Sequence, residues 1–408
     1  MTALAKAAPA FPALELETAP CPACADGGLQ AFYALRGVPI NSCILMHSRE
    51  EALSWPRGDL RLCHCPACGF VTNTRFDRGL EYSGRYEETQ AFSGTFNAFA
   101  RDLARRLVDR WEVRDRTVLE IGCGKGEFLL ELCQEGANRG IGVDPGYRPE
   151  RTTSPLVSSG QVRFCRDFYA SRHLEPEVDV VVCRHTLEHI APVRELVEGL
   201  RRDLGGREDV LVFFEVPDIL RVLREGAFWD LYHEHCSYFS PGSLARLFRG
   251  AGFEVLDLWL DYDEQYVMLV ARPAPGPTTA RLPLEDDRDE LALAVQDFAG
   301  VTGEVLARWR GELEEAQAGG ERPVLWGSGS KGVAFLSTLG GLPWLPWVVD
   351  INPHKQGKFM PGSGQEIVAP ARLRERPPGL VVLMNPIYRE EVQRDLDRLG
   401  LAPRLVAV

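Results

Sequence analysis

The chain has 408 residues, which is enough for two or three domains that each bury a core. It carries 46 Lys and Arg residues against 58 Asp and Glu residues, and the net charge of -12 argues against a nucleic-acid partner, because phosphate binding requires a basic surface. No apolar run approaches the ~20 residues that span a bilayer, and residues 1–20 contain no long apolar signal segment, so we expect a cytoplasmic protein with no membrane partner.

Two cysteine pairs stand near the start of the chain. The sequence Cys-Pro-Ala-Cys occurs at residues 21–24 and again at 65–68. Disulfides are rare in the cytoplasm, so two such pairs predict a tetrahedral site in which four thiolates hold a structural Zn²⁺ with closed coordination. The predicted ligands are Cys21, Cys24, Cys65 and Cys68. Cys63 and His64 are close enough along the chain to compete as ligands.

A polar and aromatic connection, EYSGRYEETQAFS at residues 81–93, follows the cysteine pairs. It lies between two predicted domains, where a lid over a site can form. Tyr82 and Tyr86 are therefore candidates for a catalytic role, although a tyrosine in such a segment more often packs than reacts. A helix is predicted from Ser93 to Val108.

The next stretch has the parts of one nucleotide-binding unit. Residues 117–121 are predicted to be a buried strand, three glycines then allow a tight turn, and residues 127–135 are predicted to be an amphipathic helix. A second strand, 140–143, ends at Asp144, 22 residues after Gly122. A carboxylate at this position can accept hydrogen bonds from both ribose hydroxyls of a nucleoside.

The glycine motif, EIGCGKG at residues 120–126, is E-x-G-x-G-x-G and differs from the G-x-G-x-x-G of dinucleotide-binding folds. With the strand-end acid, it resembles the class I methyltransferases that use S-adenosyl-L-methionine (SAM), which implies SAM as the cofactor. A further strand, 162–166, ends at Asp167 and Phe168, which are placed to touch the adenine. The predicted cofactor-binding residues are Glu120, Gly122, Gly124, Gly126, Asp144, Asp167 and Phe168.

Two histidines follow the strand predicted over residues 178–183. The sequence RHTLEH, residues 184–189, brings His185 and His189 to the rim where ligands bind in open α/β sheets, just before a helix predicted over 193–204. A rim histidine is as often a helix cap or a buried hydrogen-bonding group as a catalyst. The neighbouring cofactor site makes a catalytic role for one of the two as plausible as a structural one.

The sequence FWDLYHEHCSYFS, residues 228–240, is the densest set of titratable and aromatic side chains in the chain. Tyr232, Glu234 and His235 can supply a proton acceptor, an orienting carboxylate and a hydrogen-bond donor to an oxyanion. A second zinc site on His233 and His235 is the chemical alternative, but metal-binding helices space their ligands three or four residues apart. A purely structural role is the other alternative.

The sheet of this second domain is predicted to close with a helix at 242–251 and a strand pair at 253–271. Residues 273–283 are proline-rich and are predicted to be a linker. One long helix is predicted over 285–318, with an interruption at residues 300–303, where two glycines occur.

A second glycine motif, GSGSKG at residues 327–332, follows a strand, and Asp350 ends the next strand. By spacing this is a dinucleotide fingerprint. Methyl transfer has no use for a hydride, so we expect a Rossmann-like lobe that lends its loop to a substrate phosphate or to packing, and no NAD.

The order of these motifs, including T-L-x-H, Y-H-E-H-x-S-Y-F-S and the C-terminal D-I-N-P-x-K-x-G, resembles the three-domain sugar C-methyltransferases that act on nucleotide-linked 4-keto-deoxysugars in antibiotic biosynthesis. The resemblance implies an α/β chain with a zinc-binding lobe (1–80), a class I SAM-binding methyltransferase domain (81–272) and a C-terminal Rossmann-like domain (284–408) that helps hold a nucleotide-sugar. The expected partner is this small-molecule substrate, and a monomer is compatible with the sequence.

Carried over by motif, the catalytic residues are Tyr232, Glu234, His235, His189 and Tyr86. His235, oriented by Glu234, is expected to remove a proton from the carbon next to a ketone, because carbon becomes nucleophilic only as an enolate. Tyr232 and His189 are expected to donate hydrogen bonds to the oxyanion. Tyr86 is the expected lid tyrosine, with Tyr82 in reserve, because YEETQAFS departs from the aromatic pair and serines of sugar-acting relatives.

Two other functions remain open at this point. An O- or N-methyltransferase acting on a small natural product would need no enolate. A binding or assembly protein that has lost catalysis would keep the zinc and glycine motifs and lose the acid/base cluster, whose presence here argues against it.

Overall fold

Three β-sheets organise the part of the chain that a computed structural model describes, residues 16–17, 19–77, 85–276 and 280–408. No helix in these ranges is long and apolar enough to cross a membrane. Tyr82, the reserve candidate for the lid tyrosine, lies outside the described residues.

The first sheet carries the cysteine pairs. Its elements are β1 (Leu16–Glu17), β2 (Leu29–Pro39), α1 (Arg49–Ser54), β3 (Arg57–His64), β4 (Val71–Asn73) and, from much later in the chain, β10 (Ser237–Tyr238). The strands are antiparallel in the order β1-β2-β3-β4-β10. Because Gln30 pairs with His64, the turns at 21–24 and 65–68 lie at the same end of the sheet. Pairing of Ser237 with Thr72 holds the 228–240 segment against this sheet.

The second sheet has seven strands and carries the first glycine motif. Its strands are β5 (Thr117–Ile121), β6 (Arg139–Val143), β7 (Val162–Cys165), β8 (Val180–Arg184), β9 (Leu211–Pro217), β11 (Phe253–Asp261) and β12 (Tyr266–Pro273). The accompanying helices are α2 (Gly94–Arg110), α3 (Glu127–Gly136), α4 (Pro155–Ser158), α5 (Val193–Leu204), α6 (Ile219–Glu225) and α7 (Pro241–Gly250).

The strand order of this sheet is β7-β6-β5-β8-β9-β12-β11, and β12 alone runs opposite to the other six strands. The parallel strands β8 and β9 are buried almost throughout, which explains their near-continuous Val, Leu and Phe sequences. The predicted α/β core of class I methyltransferase type and its closing strand pair are confirmed. The carboxyl ends of β5, β6 and β8 share one edge, where such sheets bind ligands.

The third sheet is parallel throughout and carries the second glycine motif. Its elements are α8 (Arg288–Ala318), β13 (Pro323–Trp326), α9 (Ser330–Thr338), β14 (Trp347–Val349), β15 (Glu366–Val368), β16 (Leu380–Leu383), α10 (Arg389–Leu399) and β17 (Arg404–Ala407). The strand order is β15-β14-β13-β16-β17, the open arrangement of a Rossmann-like lobe.

Helix α8 is continuous, so the predicted interruption at residues 300–303 is wrong. A glycine inside a helix costs only ~1 kcal/mol relative to alanine. The buried residues of α8 recur every three to four positions on both sides of these glycines, from Leu291 to Ala316. This packing outweighs the low helix propensity of the two glycines.

The same helix joins two of the sheets. The ring of Phe298 lies 5.9 Å from Phe32 and 5.1 Å from Tyr33 of β2, measured between centroids. Further along α8, Trp309 lies 5.4 Å from Phe335 of α9. The first and third sheets therefore share one apolar core through α8.

Candidate active site

A cavity of about 1510 Å³ lies where the three sheets meet. It opens at the carboxyl ends of the parallel strands of the second sheet and extends to the GSGSKG loop of the third. The predicted site residues that line it are Tyr86, Glu120, Gly122, Gly124, Asp144, Asp167, Phe168, His189, Tyr232, Glu234 and His235. The structure thus brings together almost all the residues predicted for cofactor binding and catalysis.

The first glycine motif forms a tight turn at one wall of this cavity. Gly122 has a φ of +71°, and a Cβ there would lie 2.0 Å from Thr186 Oγ1. Gly126 has a φ of +86°, and a Cβ there would lie 2.3 Å from the ring of Phe164. Gly126 is not among the residues that line the cavity, so packing explains it better than the predicted contact with a cofactor.

Asp144 ends β6 and is buried beside the glycine turn. Its Oδ2 accepts a hydrogen bond from Gly124 N at 2.9 Å, and its Oδ1 accepts one from Gly146 N at 2.6 Å. Burial raises the pKa of Asp144, and these two N–H groups oppose the rise. Each carboxylate oxygen still has a lone pair for another donor, as the predicted ribose contacts require.

Glu120 lies at the inner end of the same wall. Its side chain is buried, burial raises its pKa to about 8, and its Oε2 has no hydrogen-bond partner among the described residues. A buried carboxylate oxygen without a partner is rare in folded proteins and indicates a ligand group at this point.

Asp167 and Phe168 lie at the rim. Asp167 pairs with Arg172, and Phe168 is 66% exposed, which is unusual for a side chain of this size. An exposed ring at the edge of a cavity is free to stack on a flat ligand group.

His189 and His235 face each other inside the cavity. Their rings meet edge to face with centroids 4.7 Å apart, and Tyr232 lies 4.7 Å from the other side of His235. Burial lowers the pKa of both imidazoles, and the positive charges of His185 and Lys331 lower that of His235 further. A neutral imidazole results at neutral pH, and it can accept a proton.

The structure corrects the predicted role of Glu234. Its Oε1 accepts hydrogen bonds from the backbone N of Ser42, at 3.0 Å, and from the Ser42 hydroxyl. Burial raises its pKa to about 7. No bond from Glu234 to His235 is present among the described residues, because the carboxylate points to the loop after β2.

The structure also corrects the predicted role of Tyr232. Its hydroxyl donates to Asp230 Oδ1 at 3.0 Å. A phenol has one proton, so in this arrangement Tyr232 cannot also donate to an oxyanion. Its oxygen keeps lone pairs that can accept a hydrogen bond from a ligand.

Tyr86 is held over the glycine turn. It forms an isolated β-bridge with Ile44, and its hydroxyl accepts a hydrogen bond from Asn41 Nδ2 at 3.4 Å. Lys125, from the glycine motif, donates to Tyr86 O at 3.3 Å and to Glu88 Oε1 at 2.9 Å. Tyr86 and Glu88, in the described part of the segment predicted to form a lid, are thus bonded to the cavity wall.

The sequence indicates His185 only as one of two rim histidines and does not predict its carboxylate partners. His185 has a φ of +47° and lies 2.7 Å from Glu215 Oε1, measured from Nε2. Burial would lower the pKa of His185, but Glu215 and Glu188 outweigh it and raise the pKa to about 9. The structure supplies this pairing, because β8 and β9 are adjacent parallel strands and Glu215 pairs in register with Arg184, the residue before His185.

The four predicted zinc ligands converge. The Sγ atoms of Cys21, Cys24, Cys65 and Cys68 all lie within 4.8 Å of one another. Cys63 and His64 are not in this cluster.

A second group of side chains with metal-ligand atoms within 4.8 Å of one another lies in the cavity and contains Glu188, His189 and His235. The alternative zinc site on His233 and His235 does not form, because His233 packs against Phe76 and Gly58.

Comparison with known proteins agrees with this geometry. Residues 93–258 match the family described as a methyltransferase domain, and residues 287–401 match the C-methyltransferase C-terminal domain. The chain is 29% identical over 343 residues to the C-methyltransferase NovU of Streptomyces niveus, covering 80% of each chain. It is 26% identical over 173 residues to a ubiquinone biosynthesis O-methyltransferase of Saccharophagus degradans, covering 38% of this chain and 70% of the relative.

Among solved structures, the magnesium protoporphyrin IX methyltransferase ChlM of Synechocystis PCC 6803 with bound SAH aligns with 44% of this chain and 84% of its own, at 16% identity and a TM-score of 0.33. The domain matches and the curated relative support a SAM-dependent C-methyltransferase.

Proposed function

We propose that this chain, a SAM-dependent methyltransferase, methylates an enolisable carbon next to a keto group, and that its substrate is a nucleotide-linked deoxy-ketosugar of secondary metabolism. The observation that carries the proposal is the pair of neutral imidazoles, His189 and His235, inside the cavity that holds the glycine turn. Transfer to oxygen or nitrogen needs no such pair, whereas carbon requires a base and a donor to the oxyanion.

The residues at the glycine turn fit SAM. Asp144 would hold the ribose hydroxyls, Glu120 Oε2 would accept from the amino group, and Phe168 would cover the adenine. SAM, when bound, supplies an electrophilic methyl group. A Cβ at Gly124 would lie 3.3 Å from Glu88 Oε1, so the turn leaves little room for a larger side chain beside the cofactor.

His235 is the proposed base. Its low pKa keeps the imidazole unprotonated, so a ring nitrogen can take the proton from the carbon next to the ketone. His189 is the proposed donor to the oxygen, because a neutral imidazole keeps one N–H. The Tyr232 oxygen would accept a hydrogen bond from a substrate hydroxyl, since its own proton is already donated in the hydrogen bond to Asp230 Oδ1.

The size of the cavity supports a large substrate. Small-molecule sites usually measure roughly 300–1,000 Å³. The 1510 Å³ found here leaves room for a nucleotide-sugar beside the cofactor, along the wall of the third sheet.

NAD is not the expected ligand of that wall, although the GSGSKG motif has the spacing for it. Asp350 Oδ2 already accepts from Ser328 N at 3.0 Å and Ser328 Oγ at 2.5 Å, and Asp350 Oδ1 accepts from Asn352 N at 2.8 Å. Both lone pairs of Asp350 Oδ2 are therefore used inside the protein, and only Oδ1 keeps one for a ribose hydroxyl, whereas Asp144 keeps one on each oxygen.

The four-cysteine cluster fits Zn²⁺. Sulfur atoms 3.7 Å apart in the pairs Cys21–Cys68 and Cys24–Cys65 are close to the spacing of a tetrahedral site with ~2.3 Å bonds. Four thiolates leave no open position, so the proposed role is structural.

Incubation of the protein with SAM and a panel of nucleotide ketosugars, followed by mass and NMR analysis of the product, tests the proposal. We expect a new methyl group on a carbon adjacent to the ketone. The alternative function is methylation of oxygen or nitrogen, as in the O-methyltransferase that the chain resembles in part. It predicts a methyl group on a heteroatom.

A further inference from the structure

Two neighbouring side chains of the GSGSKG loop are linked to the 228–240 segment, Lys331 directly and Ser330 through Ser42. Lys331 Nζ lies 2.5 Å from Asp230 Oδ1 and 2.6 Å from Asp230 Oδ2. Asp230 Oδ1 in turn accepts a hydrogen bond from the Tyr232 hydroxyl at 3.0 Å. The loop of the third sheet is thus connected to Tyr232 through one carboxylate.

Ser330, the residue before Lys331, makes the second connection. Its hydroxyl lies 2.7 Å from the Ser42 hydroxyl, and Ser42 N donates to Glu234 Oε1 at 3.0 Å. Adjacent residues of one loop are therefore linked to Tyr232 and Glu234, each through one intervening side chain.

We propose that Lys331 is a positioning residue for the methyl-transfer reaction: its ammonium group fixes Asp230 so that Tyr232 stands in its working orientation against His235. The inference rests on the proposed function, because it assigns to the third sheet a part in that chemistry. The C-terminal lobe then completes the active site, in addition to any contact that it makes with the substrate.

Lys331 has a role that the other cation at this site cannot replace. Arg221 Nη2 contacts Asp230 Oδ2 at 2.7 Å, and Lys331 is the cation that contacts Oδ1, the oxygen to which Tyr232 donates. The side chain of Asp230 is only 12% exposed, so water offers little substitute. Loss of Lys331 would leave Asp230 paired with Arg221 while the Oδ1 atom loses its nearest positive charge.

The packing around the pair supports the same role. The ring of Phe335, one turn along α9 from Lys331, stacks on Phe228 at 5.8 Å between centroids. Phe228 and Asp230 belong to the same helical turn, Phe228–Asp230. The α9 helix therefore fixes the backbone of this turn, and Lys331 fixes its carboxylate.

The rival role is direct binding of an anionic substrate group by Lys331. The variants that separate the two are Lys331→Met, Lys331→Arg, Asp230→Asn and the Lys331→Met/Asp230→Asn double variant. Lys358→Met is the matched control, because Lys358 belongs to the same lobe and pairs with His47 away from the cavity.

The first measurement uses the full-length protein without substrate. In protein labelled with ¹³C at tyrosine Cζ, the Tyr232→Phe spectrum assigns one of the ten tyrosine resonances to Tyr232. We expect that resonance to shift in Lys331→Met and in Asp230→Asn, and to keep its position in Lys331→Arg and Lys358→Met. An unchanged Tyr232 resonance in Lys331→Met would overturn the proposal, provided that Asp230→Asn shifts it.

The second measurement is steady-state kinetics with the nucleotide ketosugar that the unmodified chain methylates fastest. We expect kcat to fall about 10- to 100-fold in Lys331→Met, with KM within about twofold, and most of the loss to be restored in Lys331→Arg. The double variant should be no slower than the slower single variant, because both residues act through Tyr232. A raised KM with unchanged kcat, additive with Asp230→Asn, would overturn the proposal and assign Lys331 to substrate binding.

The two measurements distinguish this inference from the proposed function. Absence of carbon methylation in the unmodified chain would reject the proposed function. The tyrosine resonance would still decide whether Lys331 positions Tyr232, because it needs no substrate.

Discussion

At the scale of single residues, burial and charge determine which groups can react. His235 is neutral because burial and the positive charges of His185 and Lys331 lower its pKa, whereas His185 is charged because two carboxylates raise its pKa to about 9. Two histidines within one cavity therefore differ in protonation at neutral pH. One suits proton removal, and the other suits a fixed charge between β8 and β9.

Asp144 gives the sharpest test at this scale. Each charge-assisted hydrogen bond to a ribose hydroxyl is worth roughly 1.5–3 kcal/mol, so Asp144→Ala should weaken SAM binding at least about tenfold. Calorimetry measures the dissociation constant of SAM in this variant and in Asp209→Ala, the control at an exposed aspartate. An unchanged dissociation constant in Asp144→Ala would place the cofactor elsewhere.

The identity of these residues followed from local sequence, but their partners did not. Asp144, His189 and His235 sit at strand ends or in one dense motif, and both features are visible in the chain. The contact between Glu234 and Ser42 joins residues 192 positions apart, and that between Lys331 and Asp230 joins residues 101 positions apart. No periodicity or spacing rule reports such pairs.

At the scale of elements, the second sheet places its charges by register. Arg184 and Glu215 are paired across β8 and β9, so the buried ion pair between them and the contact of His185 with Glu215 follow from adjacent parallel strands. The positive φ of His185 is unfavourable for a residue other than glycine by roughly 1–2 kcal/mol. The attraction of its charged ring to Glu215 and Glu188 offsets this cost.

Stability should therefore depend on the protonation of His185. Its folded-state pKa, about 9, exceeds the ordinary value of 6.5, so its contribution is fully present below pH 6.5 and is lost as the pH rises through about 9. His185→Asn tolerates the positive φ and removes the charge. We expect the urea midpoint of the unmodified chain to fall more steeply over this range than that of His185→Asn. Equal slopes would show that the imidazolium contributes nothing to folding.

Prediction of elements succeeded where one pattern dominates. The strand at residues 117–121 and the helix at 193–204 have the bounds that their apolar periodicity indicates. The prediction failed for α8, where two glycines suggested a break that packing against β2 and α9 overrides. Tertiary contacts of this kind are not encoded in a short window of sequence.

At the scale of the whole molecule, the three sheets meet around one cavity and each contributes to it. The first sheet contributes Asn41 and Tyr86 from its loops, the second sheet contributes the glycine turn and the histidines, and the third sheet contributes Lys331. Strand β10 lies directly after His235 and pairs with β4, whose neighbour β3 leads into the second cysteine pair. The cysteine cluster is therefore connected through three strands to the 228–240 segment, which carries the proposed base.

We expect one zinc per chain in freshly purified protein, measured by elemental analysis. Cys21→Ser or Cys68→Ser should remove the metal and unfold the first sheet, because closed thiolate sites contribute folding free energy directly. Cys63→Ser, at a cysteine outside the cluster, is the control. Protein that is fully folded and free of zinc would contradict the assignment.

The most direct test of the central claim is proton exchange at the substrate carbon before methyl transfer. The unmodified chain is incubated in deuterated solvent with a nucleotide ketosugar that it methylates and with S-adenosylhomocysteine (SAH), which has no methyl group to transfer. We expect deuterium to replace the hydrogen next to the ketone, as NMR or mass spectrometry would show. His235→Ala should lose about 10²- to 10⁴-fold in both exchange and methylation, while the neighbouring variant His233→Ala keeps both. Methylated product without any exchange in the unmodified chain, or full exchange in His235→Ala, would contradict an enolate formed by His235.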